Sequence, residues 1–209
     1  MIRLFCCLVL LAAFVLPAAA DIPIDINGQF LPDPGGPFLT EPTNPSISLW
    51  NVTGTVDWIG TYWNGPPVGG YSVDLDGNAP GGITSTVPLD AGQQYELTFY
   101  LAGNPEEGDT LKGLDVTAGS IHHYDVTAGA TPPGTGDNHP WNLNWLPPIT
   151  FDFTAIAGQH IAFTSTDTSG ACGPVVGGVS LTKVPEAGFY SALALNLGGL
   201  LFVKRRRKA

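Results

Sequence analysis

The stretch Asp74-Leu75-Asp76-Gly77-Asn78 sets two carboxylates and an amide at alternate positions around a glycine. Hard oxygen ligands at that spacing wrap calcium in the first half of an EF-hand loop, although the distal glutamate of such a loop is missing here. An Asp-Gly-Asn turn between strands explains the same letters without metal, so calcium is one reading and a plain turn the other. A second group is aromatic. Trp63, Trp141 and Trp145 lie in glycine- and proline-rich segments, with Asn64, Asn138, Asn142 and Asn144 close by in the chain. Exposed indoles there would stack on the C–H-rich faces of sugars while the amides pair with hydroxyls. The opposing reading is that the rings pin their own loops to the scaffold. Trp50 and Trp58 sit in strand patterns and are assigned to the core.

Motifs for catalysis are missing. The chain has no Gly-x-Ser-x-Gly elbow and no His-Glu-x-x-His helix. Glu106, Glu107 and Asp109 crowd one turn, whereas glycosidase acids come from separated strands. His122 and His123 are adjacent in a strand pattern and point to opposite faces, so they cannot chelate one metal together. Cys172 is followed by Gly173-Pro174, which reads as a tight turn.

The elements that must position these residues read as β throughout. Tyr95, Leu97, Phe99 and Leu101 alternate with Gln94, Glu96, Thr98 and Tyr100, the period of a strand with one buried face. Residues 149–153 and 161–163 repeat the alternation. Further strands are expected over 48–52, 55–59, 71–75, 82–87, 111–117, 121–126 and 175–182, separated by turns such as Asn64-Gly65-Pro66-Pro67 and Ala157-Gly158. Many short strands at this spacing predict an all-β, two-sheet jelly-roll sandwich. Residues 25–45, with five prolines, and 129–148 are expected to be irregular.

The two ends read as addresses. Residues 1–20 carry one early charge, Arg3, an apolar run and then Pro17-Ala18-Ala19-Ala20, the pattern of a signal peptide cut by signal peptidase. Residues 21–183 form the expected β-sandwich domain. They hold 17 acidic residues against two basic ones, Lys112 and Lys183, and one cysteine, Cys172. Intramolecular disulfides are thereby excluded, and so is nucleic acid, for want of a basic surface. Residues 184–209 form a tail: Val184-Pro185-Glu186-Ala187, then uncharged residues 188–203, then the basic run 204–208. Sixteen residues rise about 24 Å as a helix, a marginal transmembrane span with its basic end cytoplasmic.

Val184, Pro185 and Glu186, an apolar helix and Arg205, Arg206 and Arg207 resemble the PEP-CTERM sorting signal of Gram-negative bacteria. That resemblance implies a transient stay in the inner membrane, cleavage by an exosortase-type transpeptidase, and release to the cell surface or extracellular matrix. Ala187 stands where that signal usually has a second proline. The domain itself, through "NGQF" at 27–30, "WNVTGTVDWIGTYW" at 50–63, "SVDLDGNAPGGI" at 72–83, "LTFYLAGNP" at 97–105 and "CGPVVGGVSL" at 172–181, resembles the choice-of-anchor C family and the plant cell-wall proteins of the domain of unknown function 642. This implies a galactose-binding-like jelly roll. Gly177 and Gly178 replace acidic residues usual there, and Leu31 replaces a glutamate. Three functions follow as expectations: a non-enzymatic module for carbohydrate or extracellular polysaccharide (neutral, or anionic and bridged by a cation), a structural surface or biofilm protein binding proteins or itself, and a polysaccharide hydrolase.

Overall fold

The computed structural model describes residues 20–42, 47–106, 110–131 and 142–185. Most of the signal segment, the tail from Glu186 onward including Arg205–Arg207, and the expected sugar contacts Asn138 and Trp141 lie outside the described residues. Residues 21–184 are one compact unit.

Fourteen strands are present among the described residues, in chain order β1 (Ile22–Ile24), β2 (Phe38–Pro42), β3 (Trp50–Thr53), β4 (Thr55–Ile59), β5 (Ser72–Asp74), β6 (Gly82–Ser85) and β7 (Gln94–Gly103). They continue as β8 (Leu111–Ala118), β9 (Ser120–Thr127), β10 (Ala130–Thr131), β11 (Asn142–Leu143), β12 (Ile149–Thr154), β13 (Ala162–Ser165) and β14 (Pro174–Lys183). A seven-stranded sheet runs β12-β7-β14-β5-β4-β2, with β1 also paired to β14. A five-stranded sheet runs β3-β6-β13-β8-β9, and β10 and β11 form a small ribbon. Every pairing is antiparallel. The all-β, two-sheet expectation holds. Within the stretches expected to be irregular, β2 forms all the same. Its Pro42 is tolerated because β2 is an edge strand, where a missing N–H breaks no ladder.

Alternation along β7 places Tyr95, Leu97, Phe99 and Leu101 between the sheets, where they meet Trp50, Phe163, Leu114 and Val116 from the smaller sheet. Phe163 packs edge-on against Phe99 with centroids 5.2 Å apart, and Trp50 lies 6.0 Å from Phe163. Burying each such side chain contributes about 1.5–3 kcal/mol. Trp50 and Trp58 are core, as their patterns imply. Their indole N–H groups donate to Asn27 O (3.2 Å) and Phe30 O (2.9 Å). Each ring therefore also holds the segment 27–30 onto the sandwich.

Candidate functional site on the outer face of the larger sheet

Residues opposite one another across strands share a face, so the register maps the outer surface of the larger sheet. One row across it is Asp57, Asp74, Val175 and Ala102, and the next is Phe38, Ile59, Ser72, Gly177 and Tyr100. Further along come Ser180, Thr98 and Thr150, and then Thr182, Glu96 and Asp152. The first rows are covered except at their ends, Phe38 and Tyr100. Ile59, Trp63, Ala102, Leu143 and Val175 form a second apolar cluster on this face, with Tyr62 and Trp145 packed against it. The later rows are left bare.

This decides where the expected sugar platform stands. Trp63 is 1% exposed and its Nε1–H donates to Ser72 Oγ at 3.0 Å. It offers no ring face to a ligand, because the outer face of the sheet needs an apolar cover where Val175 and Ala102 point outward. The Asn64 Oδ1 atom accepts the Leu143 N–H, and Asn64 O accepts Trp145 Nε1–H at 3.3 Å. Asn64 thus ties two loops together, with Asn142 in the small ribbon next to Leu143. Trp145 is half-buried. Trp63, Asn64 and Trp145 thus come together around Leu143, and none of them lines the groove further along the sheet.

That groove, of about 330 Å³, is lined by Gln29, Val68, Tyr100, Thr98, Thr150, Ser180 and their neighbours. Each wall has a local cause. In β14 the register with β7 shifts between Gly177 and Ser180, a bulge that turns Gly178 to φ +57°. A Cβ at Gly178 would lie 2.5 Å from Val68 Cγ2 and 2.9 Å from Tyr100 Cδ2, so the bare glycine lets both side chains lie down on the strand. Gly177 does the same for Pro66. Gly178 is therefore the floor under the groove's apolar wall. Opposite them, Asn27 closes its own turn, its Nδ2 donating to Leu31 O (2.8 Å) and its Oδ1 accepting Leu31 N–H (2.9 Å). Gly28 abuts the bulge, its carbonyl accepting Val179 N–H at 2.9 Å, and Gln29 reaches the groove. Sequence reasoning found the motif "NGQF" but missed the groove. The outward positions of β7 and β12, Thr98, Tyr100 and Thr150, were the available signal.

Chemically the groove offers one phenolic ring, a primary amide and a line of hydroxyls, with Thr98 Oγ1 and Thr150 Oγ1 2.8 Å apart. No charged side chain lines it. Glu96 and Asp152 lie one row further along, directly opposite each other.

The members of the Asp74, Asp76, Asn78 set stand in different surroundings. Asp74 is fully buried and satisfied: Oδ1 accepts Asp76 N–H (3.0 Å) and Gly173 N–H (2.9 Å), and Oδ2 accepts Asn104 Nδ2–H (2.6 Å). Burial drives its pKa well above the usual carboxylate range, against those three donors. Asn78 is exposed, with its backbone N–H held by Thr55 Oγ1 at 2.9 Å. Among the described residues no three His, Cys, Asp or Glu side chains come together as metal ligands. Asp74 spends its oxygens on three protein donors and Asn78 is exposed in the turn, so the geometry adds nothing of its own to the calcium loop drawn from the spacing. His122 and His123 do diverge. His122 packs on Phe151 with ring centroids 4.3 Å apart, and His123 lies between Asp115 and Asp125 on the surface.

Residues 27–182 match the family described as "Protein of unknown function (DUF642)". Halomucin of Haloquadratum walsbyi is 35% identical over 143 residues, covering 66% of this chain, which spans only 1% of that relative's length. Among solved structures, the CBM22-1 xylan-binding domain of Paenibacillus barcinonensis Xyn10C is similar at TM-score 0.41 and 14% identity, with 71% of this chain and 95% of that one covered. The K1 cleaved adhesin domain of Lys-gingipain from Porphyromonas gingivalis is similar at TM-score 0.37 and 13% identity, with coverages of 78% and 98%.

Proposed function

We propose, from the premise that this chain belongs to the DUF642 family, that it is an exported, non-enzymatic module that binds neutral polysaccharide along the outer groove of its larger sheet. The observation that carries the reading is the groove itself: Tyr100 laid flat by Gly178, flanked by Gln29, Thr98, Thr150 and Ser180. A ring beside a row of hydroxyls and an amide suits a sugar, whose C–H face is apolar and whose rim needs hydrogen-bond partners. Charge selects the class. With 17 acidic and two basic residues over 21–183, the domain repels polyanions. Trp145, and Trp141 with Asn138, extend the same proposal to the adjoining loop.

The route belongs to the proposal as well. Signal peptidase removes residues 1–20, the tail 188–203 holds the chain in the inner membrane, and an exosortase-type enzyme cuts near Pro185-Glu186, releasing the domain to the surface or matrix. Mass spectrometry of surface material is expected to find no peptide beyond about Glu186. Intact basic tails on most of the protein would overturn this route.

Binding is tested by electrophoresis through gels cast with neutral polysaccharides. Tyr100→Ala is expected to lose retention about tenfold or more while its melting temperature shifts little. Undiminished retention in that variant would move the site off the sheet. Loss in Trp141→Ala/Trp145→Ala alone would place it on the loop. A second reading, self-association as a structural surface protein, has one observation in its favour: Phe38 and Leu39 are 46% and 40% exposed on the edge strand β2. Sedimentation that stays monomeric over a wide concentration range would dismiss it.

A further inference from the structure

Where the hairpin after β5 meets the segment after β13, one buried carboxylate is left under-satisfied. Asp76 is 0% exposed and no well-aligned hydrogen bond reaches either of its oxygens, the Ser165 hydroxyl being the one donor set beside it. Gly173 is packed against it so closely that a Cβ there would lie 2.5 Å from Asp76 Cγ. A buried, unsatisfied carboxylate costs several kcal/mol unless something compensates it. The polar groups facing Asp76 are the Ser165 hydroxyl, the Asp167 carboxylate and the Lys112 ammonium, with Asp74 behind it on its own strand. Burial lifts the Asp76 pKa to about 6 against the Ser165 hydroxyl, with the carboxylate of Asp167 adding to the rise and Lys112 offsetting it least.

We propose that Asp76, Asp167 and Ser165 form a calcium site that ties the two sheets together at this end of the sandwich. Asp76 supplies two open oxygens. Asp167 spends Oδ1 on Gly113 N–H (2.9 Å), which orients its carboxylate, and Ser165 Oγ is fixed by Asp167 N–H at 3.2 Å. Two carboxylates against one ammonium leave net negative charge for a hard cation, and oxygen-only donors favour calcium over softer metals. The site joins the turn that follows β5, of the larger sheet, to the end of β13, in the smaller one. Two carboxylates are few, so the affinity belongs with extracellular modules, about 10⁻⁴–10⁻³ M. This inference does not depend on the glycan reading.

The test is thermal unfolding of the full chain in EDTA and in about 10 mM calcium, with a calorimetric calcium titration of the unaltered protein. Calcium is expected to raise the melting temperature by roughly 3–10 °C. Asp76→Asn and Asp167→Asn lose that response, while Asn78→Ala keeps it. If Asp76→Asn fails to fold, Asp167→Asn and the titration carry the test. No heat of binding and an unchanged melt in the unaltered protein overturn the site. So does a response lost in Asn78→Ala but kept in Asp167→Asn, which returns the ion to the turn.

Discussion

Single side chains in this domain are held in states that their letters alone do not announce. His123 is the clearest: Nδ1 lies 2.7 Å from Asp115 Oδ1 and Nε2 lies 3.3 Å from Asp125 Oδ1. The hydrogen bond to Asp115 first, with the charges of Asp125 and Asp115 behind it, raises its pKa above the usual histidine value. Because the folded pKa is the higher one, the pair's contribution is fully present below about pH 6.5 and fades as pH rises through the folded value. Proton NMR titration is expected to show His123 titrating above the usual histidine value, and Asp115→Asn to remove most of the difference. A His123 midpoint at or below the usual value of about 6.5 would refute the pairing. Trp63 makes the opposite point. In sequence it shares the glycine- and proline-rich setting of Trp145, yet it is core while Trp145 is half-buried. Nothing local distinguishes them. The difference arises from which loop closes over Val175 and Ala102. Trp63→Ala is therefore expected to cost about 3–5 kcal/mol by chemical denaturation, the range for a buried ring, regardless of any ligand.

At the level of strands, the period-2 pattern of β7 was enough to assign inward Leu97 and Phe99 and outward Thr98 and Tyr100, and it located β4, β12 and β14 within a residue or two. It failed at β1, β2 and the β10–β11 ribbon, whose pairing depends on long-range neighbours rather than on their own composition. It also failed at the bulge. A Gly-Gly pair in a strand pattern says that backbone geometry is unusual, but only the register shift shows that Gly178 makes room for Tyr100. Two predictions belong here. Gly178→Ala forces a Cβ onto a φ of +57° and into Val68 and Tyr100, so it is expected to destabilise by about 1 kcal/mol or more and to weaken glycan retention with it. On the bare rows, Glu96 and Asp152 face each other as like charges. Asp152→Asn is expected to stabilise by about 0.2–1 kcal/mol in denaturant titration. Destabilisation would mean that the two carboxylates share a cation.

For the whole domain, charge is the property that most constrains what it meets. Residues 21–183 carry 17 acidic and two basic side chains, so the molecule approaches any partner as a polyanion. Its groove is lined by uncharged groups, while Glu96 and Asp152 stand one row away from Thr98 and Thr150. Long-range repulsion and short-range recognition are thus separable by salt, which screens the first and leaves ring stacking and hydrogen bonds nearly untouched. At about 0.01 M ionic strength the screening length is about 30 Å, comparable to a domain, and at about 1 M it falls to about 3 Å. Retention on neutral polysaccharide is expected to change little across that range. Retention on a polyuronate is expected to be nil at the low end and to rise only as sodium chloride screens the domain. Binding to the neutral polymer that collapses with salt would show that charge, and not the groove, holds the glycan.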